Sequence, residues 1–334
     1  MINNKAILLL ATERSGTNLL RAILSSHSQI GSPPPFSMMD VMAEARYKYL
    51  SGEHRDRFNT FIEDAIKLTQ LHLNPWDISL SSEVVLERAN DRSFWQVFKA
   101  LNELYVEAEN KSHWFSKEPG LFNYIYELAM AMPEARFIYM TRDPRDVAAS
   151  MIKQGLHEAN VYHAALKWRK EQRLCLNASF DPMLRDRIFT FSYEDLIDDS
   201  DLVVKALMRF LKIDFEPAQL EFYKNTKVLA HSKKSEFWQN LNKPIDKANS
   251  GKHKSKLNRQ QIEVIESICW EEMKTLGYQP DSAQPARLNG RTQIYYALQS
   301  RIRTFWNARK RTSEAEKHRR RVTAANEIRS KRFE

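Results

Sequence analysis

The chain has only two cysteines, Cys175 and Cys269, among its 334 residues. Two thiols cannot build a disulfide framework or a four-thiolate metal site, which excludes a secreted fold held together by cystines. The longest apolar run near the start, residues 6–11, is far shorter than the roughly 20 residues of a membrane span, and no signal-cleavage pattern follows it. We therefore expect a cytoplasmic protein.

Glycine is also scarce, at eight residues, which fits a body rich in helices. The composition is 43% hydrophobic and 28% charged, so the chain is not disordered or fibrous and has apolar residues for one large core or two modest ones. The sequence shows neither an internal repeat nor a cluster of residues with metal-ligand spacing. We therefore predict a globular protein without a bound metal.

The positive charge is confined to one end of the chain. The chain has 51 Lys and Arg and 42 Asp and Glu. From Arg287 onward there are 14 basic and 4 acidic residues, so residues 1–286 contain 37 basic and 38 acidic residues. The main body has no general positive field, and we expect no nucleic-acid partner. We predict one domain over residues 1–286 and a separate basic tail over residues 287–334.

Short apolar runs alternate with helical patterns through the main body. Strands are predicted at residues 6–10, 114–117, Arg136–Thr141 and Ile188–Ser192. Helices are predicted after the first and third strands and over residues 56–73, 93–109, 121–132, 161–177, 202–211 and 259–276. This alternation predicts an α/β fold with a central, mostly parallel sheet and helices on both faces. Residues 224–258 are expected to form a long irregular segment of functional importance.

The segment Arg14-Ser15-Gly16-Thr17-Asn18 follows the first predicted strand and opens the first predicted helix. Ligands of open parallel sheets bind beyond the carboxyl ends of the strands, where a helix N-terminus offers unpaired N–H groups. Gly16 lets the backbone approach an oxyanion, and Arg14 adds a fixed charge. In the register of the Walker pattern, Thr17 replaces the lysine and Asn18 the metal-binding hydroxyl, so phosphate binding is predicted and nucleoside triphosphate hydrolysis is disfavoured.

A second junction of the same kind follows the strand at Arg136–Thr141. Arg142 ends that strand, Asp143 suits a helix N-cap and Pro144 suits the first helical position. Ser150 falls about two turns into the helix. Two phosphate-binding loops are therefore expected to converge above the sheet.

These motifs resemble those of sulfotransferases that use 3′-phosphoadenylyl sulfate (PAPS). The first loop resembles their 5′-phosphosulfate loop, and FIYMTRDPRDVAAS at residues 137–150 resembles their 3′-phosphate motif, an Arg followed eight positions later by a Ser. IFTFSYEDL at residues 188–196 and KTLGY at residues 274–278 resemble a later strand and the closing helix of the family. The resemblance covers most of residues 5–280 in the family's order and implies its P-loop-like fold.

The resemblance also implies a reaction and roles for individual residues. The reaction is transfer of a sulfuryl group from PAPS to an acceptor, with no metal, leaving adenosine 3′,5′-bisphosphate (PAP). The residues implied to bind the donor are Arg14, Ser15, Gly16, Thr17 and Asn18 at the 5′-phosphate, Arg142 and Ser150 at the 3′-phosphate, Tyr193 at the adenine, and Ser250 and Lys252 in a late loop. Lys117 corresponds to the lysine that steadies the bridging oxygen as the S–O bond breaks.

The general base is where the sequence departs from the family pattern. The glutamate of one branch is replaced by Pro35 and the histidine of another by Pro119. Acids and imidazoles near these positions are Asp40, Glu44, Glu118 and His113. We favour Asp40 or Glu44, because the loop at residues 31–44 is expected to overhang the transfer site. The missing bases leave open a non-catalytic nucleotide binder acting through its basic tail, or an amine or phenol acceptor.

The acceptor and the tail are the least constrained parts of the prediction. The loops at residues 31–60 and 224–250, which are expected to shape the acceptor pocket, fit a carbohydrate, a lipid or a small alcohol alike. The tail has an apolar stripe at helical spacing, formed by Ile294, Leu298, Ile302 and Phe305. It predicts a helix that makes a peripheral membrane contact or a homodimer contact, or remains solvated.

Overall fold

The computed structural model describes residues 5–50, 55–71, 74–89, 91–154, 160–232, 240–308 and 313–331. A five-stranded, wholly parallel sheet runs through the described part, in the order β2-β3-β1-β4-β5. Its strands are β1 (Lys5–Leu10), β2 (Ile30–Gly31), β3 (His113–Ser116), β4 (Arg136–Thr141) and β5 (Ile188–Ser192). The first strand is central because β2 and β3 lie on one side of it and β4 and β5 lie on the other. Loops that follow β1, β3 and β4 therefore meet at one rim of the sheet.

The alternation of side chains along the strands builds a core on each face of the sheet. Leu8 and Leu10 pack into one apolar cluster, whereas Ile7 and Leu9 pack into another. Successive strand residues point to opposite faces, so an uninterrupted apolar run is the pattern expected of a strand covered on both sides. The predicted α/β fold with helices on both faces is confirmed.

Helices fill the connections and both flanks of the sheet. Those of the first half are α1 (Thr17–Ser25), α2 (Met38–Met42), α3 (Arg46–Leu50), α4 (Arg55–Leu71), α5 (Ser82–Arg88), α6 (Phe94–Ala108), α7 (Ile125–Ala131) and α8 (Pro144–Gln154). Those of the second half are α9 (Val161–Phe180), α10 (Tyr193–Asp198), α11 (Ser200–Leu211), α12 (Thr226–Ser232), α13 (His253–Lys256), α14 (Arg259–Thr275), α15 (Gly290–Ala308) and α16 (Ser313–Ser330). Within the described residues, no helix has both the length and the apolar content needed to cross a bilayer.

The sequence-based boundaries differ from the structure where elements are short. The two-residue strand β2 and the helix α5 were not predicted, and the single helix expected over residues 121–132 divides into a 3-10 turn (Leu121–Tyr124) and α7. Tyr124, at the junction, adopts φ −130° and ψ 26°, outside the helical region, which separates the 3-10 turn from α7. Residues 224–258 also contain α12 and α13.

The C-terminal helix α16 packs against the body of the protein. Its Ala324, Ala325 and Ile328 are buried, and the last two join the apolar cluster beside the sheet. The hydroxyl of Tyr49 donates to the Ile328 carbonyl at 3.1 Å, and the Lys331 ammonium lies 2.6 Å from an Asp64 carboxylate oxygen. The end of the basic segment is therefore held by apolar burial together with an ion pair. The division of the chain at residues 286 and 287 stays a prediction.

We expect Ile328→Ala to loosen α16, because Ile328 is 1% exposed and truncating a buried isoleucine costs about 2–5 kcal/mol. The matched control is Val322→Ala on the same helix, where the side chain is 42% exposed. Hydrogen–deuterium exchange of the α16 amides measures the effect: exchange should accelerate in the first variant and stay near wild type in the second. Equal exchange in wild type and Ile328→Ala would show that the helix does not depend on this contact.

Candidate active site

A cavity of about 430 Å³ opens at the carboxyl ends of the central strands. Its lining includes Glu13, Arg14, Gly16, Thr17, Asn18, Leu19, Lys117, Arg142, Tyr193, Phe222, Asn240, Leu241, Lys243, Pro244, Ile245, Asp246 and Asn249. These residues come from the loops after β1, β3 and β4, from α10, and from the segment between residues 240 and 249. The cavity therefore occupies the rim where the parallel fold brings its strand ends together.

The loop after β1 forms an anion cradle through its backbone conformation. Arg14 and Gly16 both adopt left-handed conformations, with φ +72° and +84°, and Gly16 directly precedes α1. Such turns point successive N–H groups toward one point, where the helix N-terminus adds a positive dipole end. A Cβ at position 16 would lie 2.2 Å from Cδ2 of Tyr193, so glycine is required there for space as well as for φ. The buried Ser15 hydroxyl has no hydrogen-bond partner among the described residues.

Arg142 ties the second loop to the first. Its Nη1 donates to the Arg14 carbonyl at 3.0 Å, and its guanidinium carbon lies 4.2 Å from the centroid of the Tyr193 ring. The Nε of Arg14 donates to the Ser150 hydroxyl at 3.2 Å. The two cradles predicted from the sequence thus lie side by side at one edge of the cavity.

A buried acid and a histidine stand behind Arg142. A carboxylate oxygen of Asp146 lies 3.6 Å from Nη2 of Arg142, and the other accepts from the backbone N–H of His253 at 2.8 Å, with His253 Nδ1 also at 2.8 Å. Burial alone would raise the pKa of Asp146, but the His253 hydrogen bonds and the Arg142 charge outweigh it and hold that pKa below its usual value. Asp146 therefore orients Arg142 as an anion. Arg142 lies in the loop before α8 and Asp146 in its first turn, so helical periodicity did not signal this ion pair.

Lys117 projects into the cavity from the loop after β3. Its Nζ donates to Oδ1 of Asn18 at 3.0 Å, which links it to the first turn of α1. Burial lowers the pKa of Lys117 to about 8, and the neighbouring charges of Arg21 and Arg14 lower it further than Glu13 and Glu118 can restore. The lysine thus lies next to the first loop with a pKa closer to neutral than that of an exposed lysine.

The late loop reaches the site mainly through Asn249. The Asn249 carbonyl accepts from Nη2 of Arg142 at 2.9 Å, and its Nδ2 donates to the Tyr193 hydroxyl at 2.5 Å. Lys252 donates to the Asn249 side chain, and Ser250 is half-buried immediately after it. The sequence predicted Ser250 and Lys252 as the residues of this loop that bind the donor. Among the described residues, Asn249 lines the cavity and these two do not.

Two motifs that carry the resemblance meet behind the second loop. The Tyr278 hydroxyl lies 3.0 Å from that of Thr141, at the end of β4, and donates to Oε2 of Glu194 at 3.1 Å. The other oxygen of Glu194 accepts from the Asp143 N–H at 3.3 Å. The YEDL and KTLGY segments therefore brace the loop that presents Arg142.

The acids considered as bases lie in different places. Asp40, on α2, keeps a solvent-accessible face, and partial burial followed by the negative charge of Glu13 raises its pKa. Glu118 is buried: one carboxylate oxygen accepts from the Phe36 N–H at 3.0 Å and the other has no partner among the described residues. Burial, together with the charge of Asp40, raises the pKa of Glu118 to about 8. Glu13, Asp40 and Glu118 form one electrostatic group, in which Glu13 and Glu118 act on Lys117 and Asp40 acts on Glu118. Glu13 lines the cavity, whereas Asp40 and Glu118 lie outside its described lining.

The remaining candidates lie away from that group. Glu44 is exposed in the turn after α2, and His113 begins β3, at the opposite end of the strand from the cavity. Of the described residues that line the cavity, Glu13 is an acid that the sequence interpretation did not weigh, although it lies within the first loop. Groups of three or more potential metal ligands are absent from the described part of the chain.

Comparison with known proteins agrees with this geometry. A model of the sulfotransferase family matches residues 6–217. An uncharacterized protein of Aquifex aeolicus is 22% identical over 235 residues, covering 66% of this chain and 27% of its own length. Protein-tyrosine sulfotransferase 1 of Danio rerio is 25% identical over 218 residues, covering 62% of this chain and 53% of its own length. The chain thus spans about half or less of these curated relatives.

Two solved structures share the fold. The sulfotransferase domain from the curacin biosynthetic pathway matches with a TM-score of 0.53 and 22% identity, covering 83% of this chain and 98% of that domain. The sulfotransferase domain from the olefin synthase of Synechococcus PCC 7002 matches with a TM-score of 0.52 and 22% identity, covering 80% and 94%. Because the family match extends over more than half of the 334 residues, the chain belongs to the sulfotransferase family.

Proposed function

We propose that this protein transfers a sulfuryl group from PAPS to a hydroxyl or amine of a small-molecule, carbohydrate or lipid acceptor. The observation that carries the proposal is the contact between the two cradles, in which Arg142 donates to the Arg14 carbonyl at 3.0 Å and Arg14 donates to Ser150. Two cationic cradles at one edge of a cavity suit a nucleotide with phosphate on both its 5′ and 3′ sides. We place the reaction in the cytoplasm, where the free thiols of Cys175 and Cys269 stay reduced.

The residues present fit such a donor. The buried hydroxyl of Ser15 and the Nε of Arg142 have no partners among the described residues, and both belong to the cradles. Burial lowers the pKa of Arg14 most, the charge of Glu13 raises it, and repulsion between the Arg14 and Arg142 guanidinium charges lowers it again. An anion at each cradle would relieve that repulsion.

Each loop has a separate task in this proposal. The N–H groups of the first loop, with Arg14, Thr17 and Asn18, hold the 5′-phosphosulfate, and Arg142 with Ser150 holds the 3′-phosphate. Tyr193 and Phe222 supply apolar surface for the adenine. The donor, when bound, supplies a sulfuryl group attached to a phosphate leaving group. Because a sulfuryl group carries less charge than a phosphoryl group, cations and N–H donors can act without a metal.

Lys117 is placed to stabilise the leaving oxygen. Its hydrogen bond to Asn18 at 3.0 Å holds the ammonium at the N-terminus of α1, where the 5′-phosphosulfate is proposed to lie. A positioned cation at a developing negative charge is among the stronger catalytic devices, worth about 3–4 kcal/mol. As a cation, Lys117 neutralises the charge that appears when the S–O bond breaks.

Asp40 is our proposed general base. It lies on α2 close to the loop after β3, since a Cβ at Gly120 would lie 3.0 Å from its Oδ1. It is accessible to solvent and lies outside the described lining of the cavity. Its raised pKa brings its basicity closer to neutral pH, where a carboxylate accepts a proton more effectively. Glu44 is a weaker candidate in this arrangement because it is exposed outside the group formed by Asp40, Glu118 and Glu13.

Donor recognition is tested by calorimetric titration with PAP and with AMP. We expect wild type to prefer PAP, and both Arg142→Ala and Ser150→Ala to weaken PAP binding, the former by tenfold or more, since a charge-assisted hydrogen bond contributes about 1.5–3 kcal/mol. AMP binding should change little in Ser150→Ala. Arg259→Ala, which removes an exposed arginine on α14, is the control. Equal affinity of wild type for PAP and AMP would reject the two-cradle interpretation.

The catalytic role of Lys117 predicts a pH dependence. A lysine with a pKa near 8 in the free protein loses its charge as the pH rises through 8, so kcat/KM should fall on the alkaline side. Lys117→Ala should lower kcat by about 10²–10³-fold. Lys117→Arg keeps the charge above pH 8 and should remove the alkaline fall while retaining part of the activity. Transfer of ³⁵S from labelled PAPS to a panel of sugars, phenols, amines and lipids provides the measurement.

The base assignment predicts that Asp40→Asn lowers kcat by about 10²–10⁴-fold while PAP affinity stays unchanged. Glu44→Gln is the matched control and should keep wild-type kcat. Because the pKa of Asp40 is raised, the acid limb of the wild-type profile should lie above the pH at which an ordinary aspartate titrates. A fully active Asp40→Asn would move the role to Glu118 or Glu13, and PAP binding without transfer in wild type would favour a non-catalytic nucleotide binder.

A further inference from the structure

The helix α15 is attached to the protein by one side. Tyr296 is buried against α9, where its ring stacks on Tyr162 with centroids 5.7 Å apart. The side chain of Asn160 donates to the Tyr296 carbonyl at 2.7 Å. These contacts fix the rotation of the helix about its axis and therefore decide which residues face outward.

The outward side of α15 is apolar. Ile294 is 63% exposed, Leu298 is 53% exposed and Ile302 is 58% exposed. Their spacing of four residues places them on one stripe of the helix, and Tyr295, 60% exposed, extends it. Surface helices ordinarily turn such a stripe inward, and an exposed apolar stripe marks a contact surface.

The charges next to the stripe have one sign. Arg291 and Arg301 are exposed on α15. In the sequence, residues 287–312 contain seven Lys and Arg and no Asp or Glu. An apolar stripe with cationic neighbours and no acids matches a surface that is both apolar and anionic.

We infer that α15 lies in the interface of a membrane rich in anionic lipid, with the Ile294, Leu298 and Ile302 stripe among the acyl chains and Arg291 and Arg301 at the headgroups. A bilayer supplies the apolar phase and the negative charge together. A symmetric pair of α15 helices would instead set the same cationic patch against itself, which costs energy with no acid on the helix to compensate. The inference concerns a surface outside the catalytic cavity and does not depend on the proposed reaction.

The test is flotation of the full chain with phosphatidylcholine vesicles, prepared with and without phosphatidylglycerol. Wild type should float with the anionic vesicles, and added salt should weaken this binding because the arginine contribution is screened. Ile294→Ser/Leu298→Ser/Ile302→Ser should reduce the partition coefficient by tenfold or more, and Arg291→Gln/Arg301→Gln should reduce it on anionic vesicles in particular. Leu202→Ser, which alters a 59% exposed leucine on α11, is the matched control and should bind like wild type.

Three outcomes overturn the inference. Absence of wild-type binding to anionic vesicles does so directly, as does equal binding to neutral and anionic vesicles. Concentration-dependent self-association in analytical ultracentrifugation, abolished by the triple serine variant, would assign the stripe to a second copy of the chain. Circular dichroism of each variant checks that the protein is folded, and PAP titration reports separately on the nucleotide site. A failure of membrane binding is therefore distinct from a failure of the proposed function.

Discussion

The site depends on holding two arginines close together inside the protein. Arg142 reaches across to the backbone carbonyl of Arg14, and its own charge is balanced from behind by the buried Asp146, 3.6 Å away. Burial lowers the pKa of Arg14, the negative charge of Glu13 raises it, and the positive charge of Arg142 lowers it again. Two guanidinium groups this close together repel each other, and an anion bound beside both would offset that repulsion. The rim of the sheet is therefore preorganised for a ligand that carries more than one negative group.

Surrounding contacts hold Arg142 in this arrangement. Asp146 is oriented by the buried His253, and the loop that presents Arg142 is braced by Glu194 and Tyr278. The Nε1 of Trp168 also donates to the Arg142 carbonyl at 3.0 Å. Each contact joins segments distant in sequence, so the geometry of Arg142 depends on the packing of α8, α10 and α13 around it. A catalytic site needs such support, because small displacements of a charged group change its interaction with the transition state.

The parts of the fold that the sequence predicted are those encoded locally. The strand Arg136–Thr141, the turn at Asp143 and Pro144 and the helix after it follow from hydrophobic periodicity and capping chemistry within about fifteen residues. The two-residue strand β2 has too few residues to show any period. The contact of Asn249 with Arg142 bridges 107 positions, and no local pattern reports it. The positions of Asp40 and Glu44 relative to the site could not be predicted from local patterns either, because α2 is five residues long and its rotation is set by packing.

The two helices at the basic end show a limit of amphipathic patterns. Arg321 on α16 donates to the Ser37 hydroxyl, and Lys331, directly after the helix, pairs with Asp64. Ala324, Ala325 and Ile328 of α16 are buried. On α15, Tyr296 is buried and the isoleucine and leucine stripe faces outward. A sequence pattern identifies an apolar stripe but not the element that covers it. On α15 the side that packs against the protein is set by the buried Tyr296, and the larger apolar stripe faces outward. Among the side chains that the structure describes, Arg321 and Lys331 thus contact the body of the protein, whereas Arg291 and Arg301 lie exposed beside the apolar stripe of α15.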